Sequence, residues 1–99
     1  MYYKLVRDKI PELIKAQGIN PINHIADDKE YESALMDKLK EEVEEFIEDP
    51  CKEEMADIME VIYAILKQKG YSFEDIEKVR EKKKGERGGF EKKIIAFLK

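Results

Sequence analysis

The sequence predicts an all-α protein, an antiparallel bundle of about four helices built from one 99-residue domain, residues 1–99. Three observations lead there. Apolar residues recur at helical spacing over two long stretches, 29–48 and 50–69. The two stretches meet at Asp49-Pro50, and so short a connection makes antiparallel neighbours. Stop and start signals punctuate the rest: Gly18, Gly70 and the Ser72-x-x-Asp75 cap.

In chain order, residues 2–6 (Tyr-Tyr-Lys-Leu-Val) suit a short extended segment. Arg7 to Gln17 reads as a first helix, with Ile10, Leu13 and Ile14 on one face, Asp8 as cap and Gly18 as stop. Ile19 to Asp27 is a loop with room for one brief strand. Its His24, the single histidine, is expected to be structural. Asp27 or Asp28 caps a helix from Lys29 to Glu48, which turns Tyr31, Leu35, Leu39, Val43, Phe46 and Ile47 inward.

Pro50 fits the first position of the next helix, where a missing N–H costs nothing, and Asp49 is placed to cap it. That helix runs to Lys69 and ends on a left-handed Gly70. Its apolar residues (Met55, Ile58, Met59, Val61, Ile62, Tyr63, Ile65, Leu66) cover an arc wider than one stripe. Two contact surfaces are implied, one inside the subunit and one against a second chain. A last helix starts at Ser72 and runs to about Lys84, with Phe73, Ile76 and Val79 inward. Phe90 is expected to close the core rather than stack on a base. The apolar residues 94–98 are expected to pair with 2–6 or to dock on a partner subunit.

Composition narrows the function. Charged and hydrophobic residues each make up 42% of the chain. So much charge beside so much apolar residue fits a bundle completed by oligomerisation, a homodimer or homotetramer. The formal net charge of −4 argues against a stable nucleic-acid partner. There is no signal peptide or membrane-length apolar run. The single cysteine, Cys51, cannot form an internal disulfide, so a reducing cytoplasm is the expected location. The first turn of a helix can lower its thiol pKa, but no base stands near it in sequence to make it a nucleophile.

The chemistry is carried by carboxylates on either side of Asp49-Pro50. Glu45 and Glu42 lie four and seven residues before Asp49, and Glu54 and Asp57 lie five and eight after it. At ~1.5 Å rise per residue the pairs stand roughly 6–10 Å and 7–12 Å from the junction, at one height on adjacent helices. Residues three apart share a face, so Glu42, Glu45, Glu54 and Asp57 can converge. Four converging carboxylates repel unless a hard cation joins them, and an oxygen-only site suits Mg²⁺, with Mn²⁺ as an option. The alternative is a solvated acidic face. Asp57 weighs against it, because it interrupts the apolar run from Met55 to Met59. The last helix ends in a basic cluster, Arg80, Lys82, Lys83, Lys84 and, past Gly85, Arg87. Either they complement the helix C-terminus or some of them grip phosphate. Gly88-Gly89 permits a tight turn there.

Glu41-Glu42-x-x-Glu45 followed by Glu54-x-x-Asp57 resembles the EExxE…ExxD signature of the MazG-like all-α nucleoside triphosphate pyrophosphohydrolases. The opening Lys4-Leu5-Val6-Arg7-Asp8-Lys9-Ile10-Pro11 and the closing Glu86-Arg87-Gly88-Gly89-Phe90-Glu91-Lys92-Lys93 are similar to a small single-domain branch often labelled phosphoribosyl-ATP pyrophosphohydrolase-like. The resemblance implies Mg²⁺-dependent hydrolysis of a nucleotide between its α and β phosphates, giving a monophosphate and pyrophosphate. It implies metal ligation by Glu42, Glu45, Glu54 and Asp57, with Glu41, Glu42 and Glu45 as catalytic residues. Lys83, Lys84, Arg87 and Arg7 would bind substrate, with Arg7 and Lys9 otherwise a solvated basic pair. A house-cleaning hydrolase of nucleoside triphosphates is the favoured expectation. Phosphoribosyl-ATP hydrolysis in histidine biosynthesis is one alternative. A non-enzymatic helical interaction module or a nucleotide sensor is the other.

Overall fold

A computed structural model describes residues 3–98. Among these the chain forms α1 (Ile10–Ala16), α2 (Asp28–Glu48), α3 (Lys52–Lys69) and α4 (Phe73–Arg87), and no strand. The all-α expectation holds. The first residues of the expected extended segment, Met1 and Tyr2, lie outside the described residues. Residues 3–6 and 94–98 are neither helical nor paired as strands.

The centre of the molecule is the α2–α3 pair, the two helices that pack extensively on one another. They run antiparallel: at one end Lys69 Nζ reaches Glu32 at 2.8 Å, joining the close of α3 to the opening of α2. Leu35 is 1% exposed and Val61 8%, and these two form the buried hydrophobic core. Tyr31, Leu39, Phe46, Ile58, Ile65 and Leu66 are half-buried around them. Val43 and Ile47, expected inward, face solvent. Two helices alone make one seam, and residues more than about a third of a turn from it find no neighbour.

The helix boundaries follow from local chemistry. Asp27 caps α2 by accepting the Glu30 N–H at 2.8 Å. The expected first helix from Arg7 to Gln17 is shorter, Ile10–Ala16, and Asp8 does not cap it. The reason is Pro11, which a helix tolerates only in its first turn. The junction also differs from expectation. Asp49 closes α2, with its N–H on the Glu45 carbonyl, and does not cap α3. Cys51 takes that place and offers no capping side chain, so Pro50 sits before the helix instead of in its first turn. Proline keeps Asp49 out of helical geometry, at φ −139° and ψ 82°, and one further residue is needed before α3 can begin. At the far end Gly70 adopts φ 75° and Tyr71 donates to the Leu66 carbonyl at 2.9 Å, the expected left-handed stop.

Ser72 caps α4 through the Asp75 N–H at 3.1 Å. The helix continues through Gly85 to Arg87, beyond the expected end at Lys84, and stops at Gly88. It buries no residue, and Phe73, Ile76 and Val79 are exposed where inward positions were expected. Phe90, expected to close the core, is 97% exposed. No helix is long and apolar enough to cross a membrane among the described residues.

A candidate cation site between α2 and α3

Antiparallel packing brings Glu42 of α2 opposite Glu54 and Asp57 of α3. One carboxylate oxygen from each lies within 4.8 Å of the other two. Glu42 is only 6% exposed, and Glu54 and Asp57 are half-buried. Glu42 Oε2 and Glu54 Oε2 are buried with no hydrogen-bond partner. Buried carboxylate oxygens normally have a partner, so an orphaned oxygen on each of two neighbouring acids leaves acceptor capacity that a cation could use.

Glu45 stands outside the trio. Three residues along an α-helix leave a side chain about 60° round from the first, so Glu42 and Glu45 cannot both face α3 squarely. Glu45 remains next to Glu42. Burial first, and then the Glu45 carboxyl, push Glu42 above its ordinary value of 4.5, against the pull of the Lys38 ammonium.

Three cations already lean on these acids. Arg7 Nη2 reaches Asp57 Oδ1 at 2.7 Å. Lys38 Nζ lies 3.2 Å from Glu42 and 3.5 Å from Glu41. Lys4 Nζ donates to Glu41 at 2.9 Å, and that hydrogen bond is the main cause holding the Glu41 carboxyl below its ordinary value. Arg7 therefore sits at the site through a carboxylate. Lys4 and Arg7 come from the N-terminal segment, which crosses the α2–α3 seam and walls a pocket of about 290 Å³. Leu5, Val6 and Tyr31 line its apolar part, and Arg7, Lys38 and Asp57 its charged part.

Lys83, Lys84 and Arg87 are exposed on α4; none lines this pocket or pairs with the trio. Lys38 and Lys4 are the residues that sequence reasoning missed. Lys38 was legible, since it precedes Glu42 by four residues on one helix. Lys4 was not, since 37 residues separate it from Glu41. Cys51 gives no sign of a nucleophile. Although the Glu54 backbone N–H pulls its thiol down, burial and the Asp49 charge push it above its usual value. His24 is exposed and contacts Glu30 at 2.9 Å, away from the trio.

No family model matches this chain, and no solved structure does. A Mycolicibacterium smegmatis protein described only as uncharacterized is 55% identical over 42 residues, which cover 42% of this chain and 43% of that protein. The matched stretch thus spans less than half of that relative.

Proposed function

We propose that this chain is a divalent-cation-dependent nucleotide pyrophosphohydrolase of the MazG-like kind, acting on nucleoside triphosphates in the cytoplasm. The observation that carries the reading is twofold: Glu42 and Glu54 each bury a partnerless carboxylate oxygen, and each has an oxygen within 4.8 Å of one from a third acid, Asp57. Those residues fit a hard cation: all donors are carboxylate oxygens, which suits Mg²⁺ or Mn²⁺. Bound there, the ion supplies charge neutralisation for phosphate and an acidified water.

The chain's own groups do the remainder. Glu42, Glu54 and Asp57 would hold the cation, and Glu45 beside Glu42 would add acceptor capacity at its rim. Glu41, oriented by Lys4 and Lys38, is fixed as an acceptor for a water proton. Water attacks the α-phosphorus and pyrophosphate leaves. Arg7 and Lys38 are the cations that line the pocket beside the trio, and they would offset the charge developing on the leaving group. The pocket's apolar wall at Leu5, Val6 and Tyr31 suits the base or sugar.

The test is incubation of purified protein with Mg²⁺ and each ribo- and deoxynucleoside triphosphate, with phosphoribosyl-ATP as a separate arm. Monophosphate and pyrophosphate are expected from a triphosphate. Turnover of phosphoribosyl-ATP alone replaces the substrate and keeps the chemistry. Release of orthophosphate, or no turnover with any nucleotide, overturns the proposal.

A further inference from the structure

The pocket between α2 and α3 has a direction. On α2 it is lined by Glu42, then Lys38, then Tyr31; on α3 by Asp57, then Glu60, then Ala64. Both files lead away from the junction of the two helices, with charged groups first and the apolar wall last. Glu42, 6% exposed and with one orphaned oxygen, marks the cation end together with Asp57. At ~1.5 Å rise per residue Glu60 stands about 4.5 Å beyond Asp57 along α3, and Ala64 about 10 Å beyond it. Glu60 is therefore set between the acids that face a cation and the apolar wall.

Its partners, or their lack, say what it faces. Of the four carboxylates that line the pocket, Asp57 is held by Arg7 and Glu42 by Lys38. Glu60 and Asp8 have no ion pair or side-chain hydrogen bond among the described residues. Lys38 is nearly level with Glu60 on the facing helix, yet its ammonium turns to Glu41 and Glu42. Glu60 also stays out of the oxygen trio. A carboxylate accepts hydrogen bonds and donates none, and an unpaired one repels phosphate. The ligand group beside Glu60 is thus a neutral donor. In a nucleotide whose phosphates meet the cation and whose base meets the apolar wall, the part between is the sugar, and its neutral donors are hydroxyls. An acid that accepts from ribose hydroxyls is a recurring device of dinucleotide sites. Asp8 lies on the N-terminal segment, on neither long helix, and is the rival acceptor.

We propose that Glu60 reads the sugar: its carboxylate accepts from the 2′- and 3′-hydroxyls of a ribonucleotide, and ribonucleoside triphosphates are preferred over their 2′-deoxy counterparts. The proposal rests on the hydrolase activity proposed for this site, and adds the choice of sugar that activity leaves open. Glu60 is exposed, so water competes for its oxygens and the preference is modest, roughly ten-fold.

The test compares kcat/KM for ATP and 2′-deoxy-ATP with Mg²⁺, on the wild type, Glu60→Ala, Glu60→Gln and Asp8→Asn. The wild type is expected to favour ATP roughly ten-fold. Glu60→Ala is expected to bring the two substrates level. Glu60→Gln, whose amide oxygen still accepts, is expected to fall between, and Asp8→Asn to keep the preference. Circular dichroism checks that the variants stay helical. If Glu60→Ala fails to fold, 2′-deoxy-ATP and 3′-deoxy-ATP probe the same contact on the wild type; each is expected to lose to ATP, and equal turnover of the three overturns the proposal. A wild type without preference, a preference that survives Glu60→Ala, or one that collapses in Asp8→Asn overturns it and leaves the hydrolase activity standing. No turnover of any triphosphate sinks the hydrolase activity instead. Calorimetric binding of α,β-methylene-ATP and its 2′-deoxy form with Mg²⁺ then decides the sugar. A preference of roughly ten-fold that Glu60→Ala removes sustains the proposal, and equal affinities or no binding overturn it.

Discussion

The α2–α3 pair and α4 are both capped, both amphipathic in sequence and both helical, yet only the pair has an interior. Asp27 caps α2 as Ser72 caps α4, so capping does not distinguish them. What distinguishes them is a facing surface. α3 lies against α2 because three residues join them, and the seam holds Leu35 and Val61. α4 leaves α3 through Gly70, and its Phe73, Ile76 and Val79 stay exposed, with the Tyr63 ring set against Phe73. A cap and an amphipathic face therefore define a helix, while its place in a fold depends on what stands opposite.

That contrast can be broken first at its core. Leu35→Ala is expected to cost about 2–5 kcal/mol of stability, since it opens a cavity where the side chain is fully enclosed. Val79→Ala, at an exposed position, is expected to change stability by less than about 0.5 kcal/mol. Chemical denaturation of both variants checks this; equal losses would mean that α4 has its own interior within the monomer. Next in size, Asp57→Asn is expected to lower turnover roughly 10²–10³-fold, by analogy with removing one preorganised charge-stabilising group. Calorimetric titration with Mg²⁺ should show the matching loss of cation binding.

A smaller effect concerns Arg7. Its guanidinium holds Asp57 and would compete with the proposed divalent cation, so Arg7→Gln is expected to tighten Mn²⁺ or Mg²⁺ binding by up to about five-fold, the ~1 kcal/mol scale of a solvent-accessible ion pair. Titration of the variant reads this directly, and weaker cation binding would contradict it. The smallest effect is a slope with pH. Glu42 is held above its ordinary 4.5 by burial and by Glu45. Between the unfolded and folded values the native state binds the extra proton, so this group favours folding below 4.5 and its contribution is lost as pH rises through the folded value. Melting temperatures across the acid range should show that slope without divalent cation. The slope should flatten with Mg²⁺ or in Glu42→Gln.

Much of this was legible along the chain. The helix count, the Asp27 and Ser72 caps and the Gly70 stop all follow from local rules of backbone geometry. The meeting of Glu42 with Glu54 and Asp57 follows from helical rise counted outward from the short junction. Other features were not legible because they depend on distant partners. Lys4 on Glu41 and Arg7 on Asp57 span 37 and 50 residues. Glu45 shares the motif spacing of Glu42, and only the facing direction of α3 sets it apart from the trio.

By itself the sequence determined which segments are helical and, at the Asp27 and Ser72 caps and the Gly70 stop, where some of them end, because caps and glycines act within a few residues; the starts of α1 and α3 and the end of α4 fell elsewhere. It also determined that acids would gather near the α2–α3 turn. Only the tertiary structure decided which acids touch, which cations attend them, and that α4 would lie uncovered. Those outcomes rest on the direction of one surface relative to another, and local periodicity carries no information about that direction.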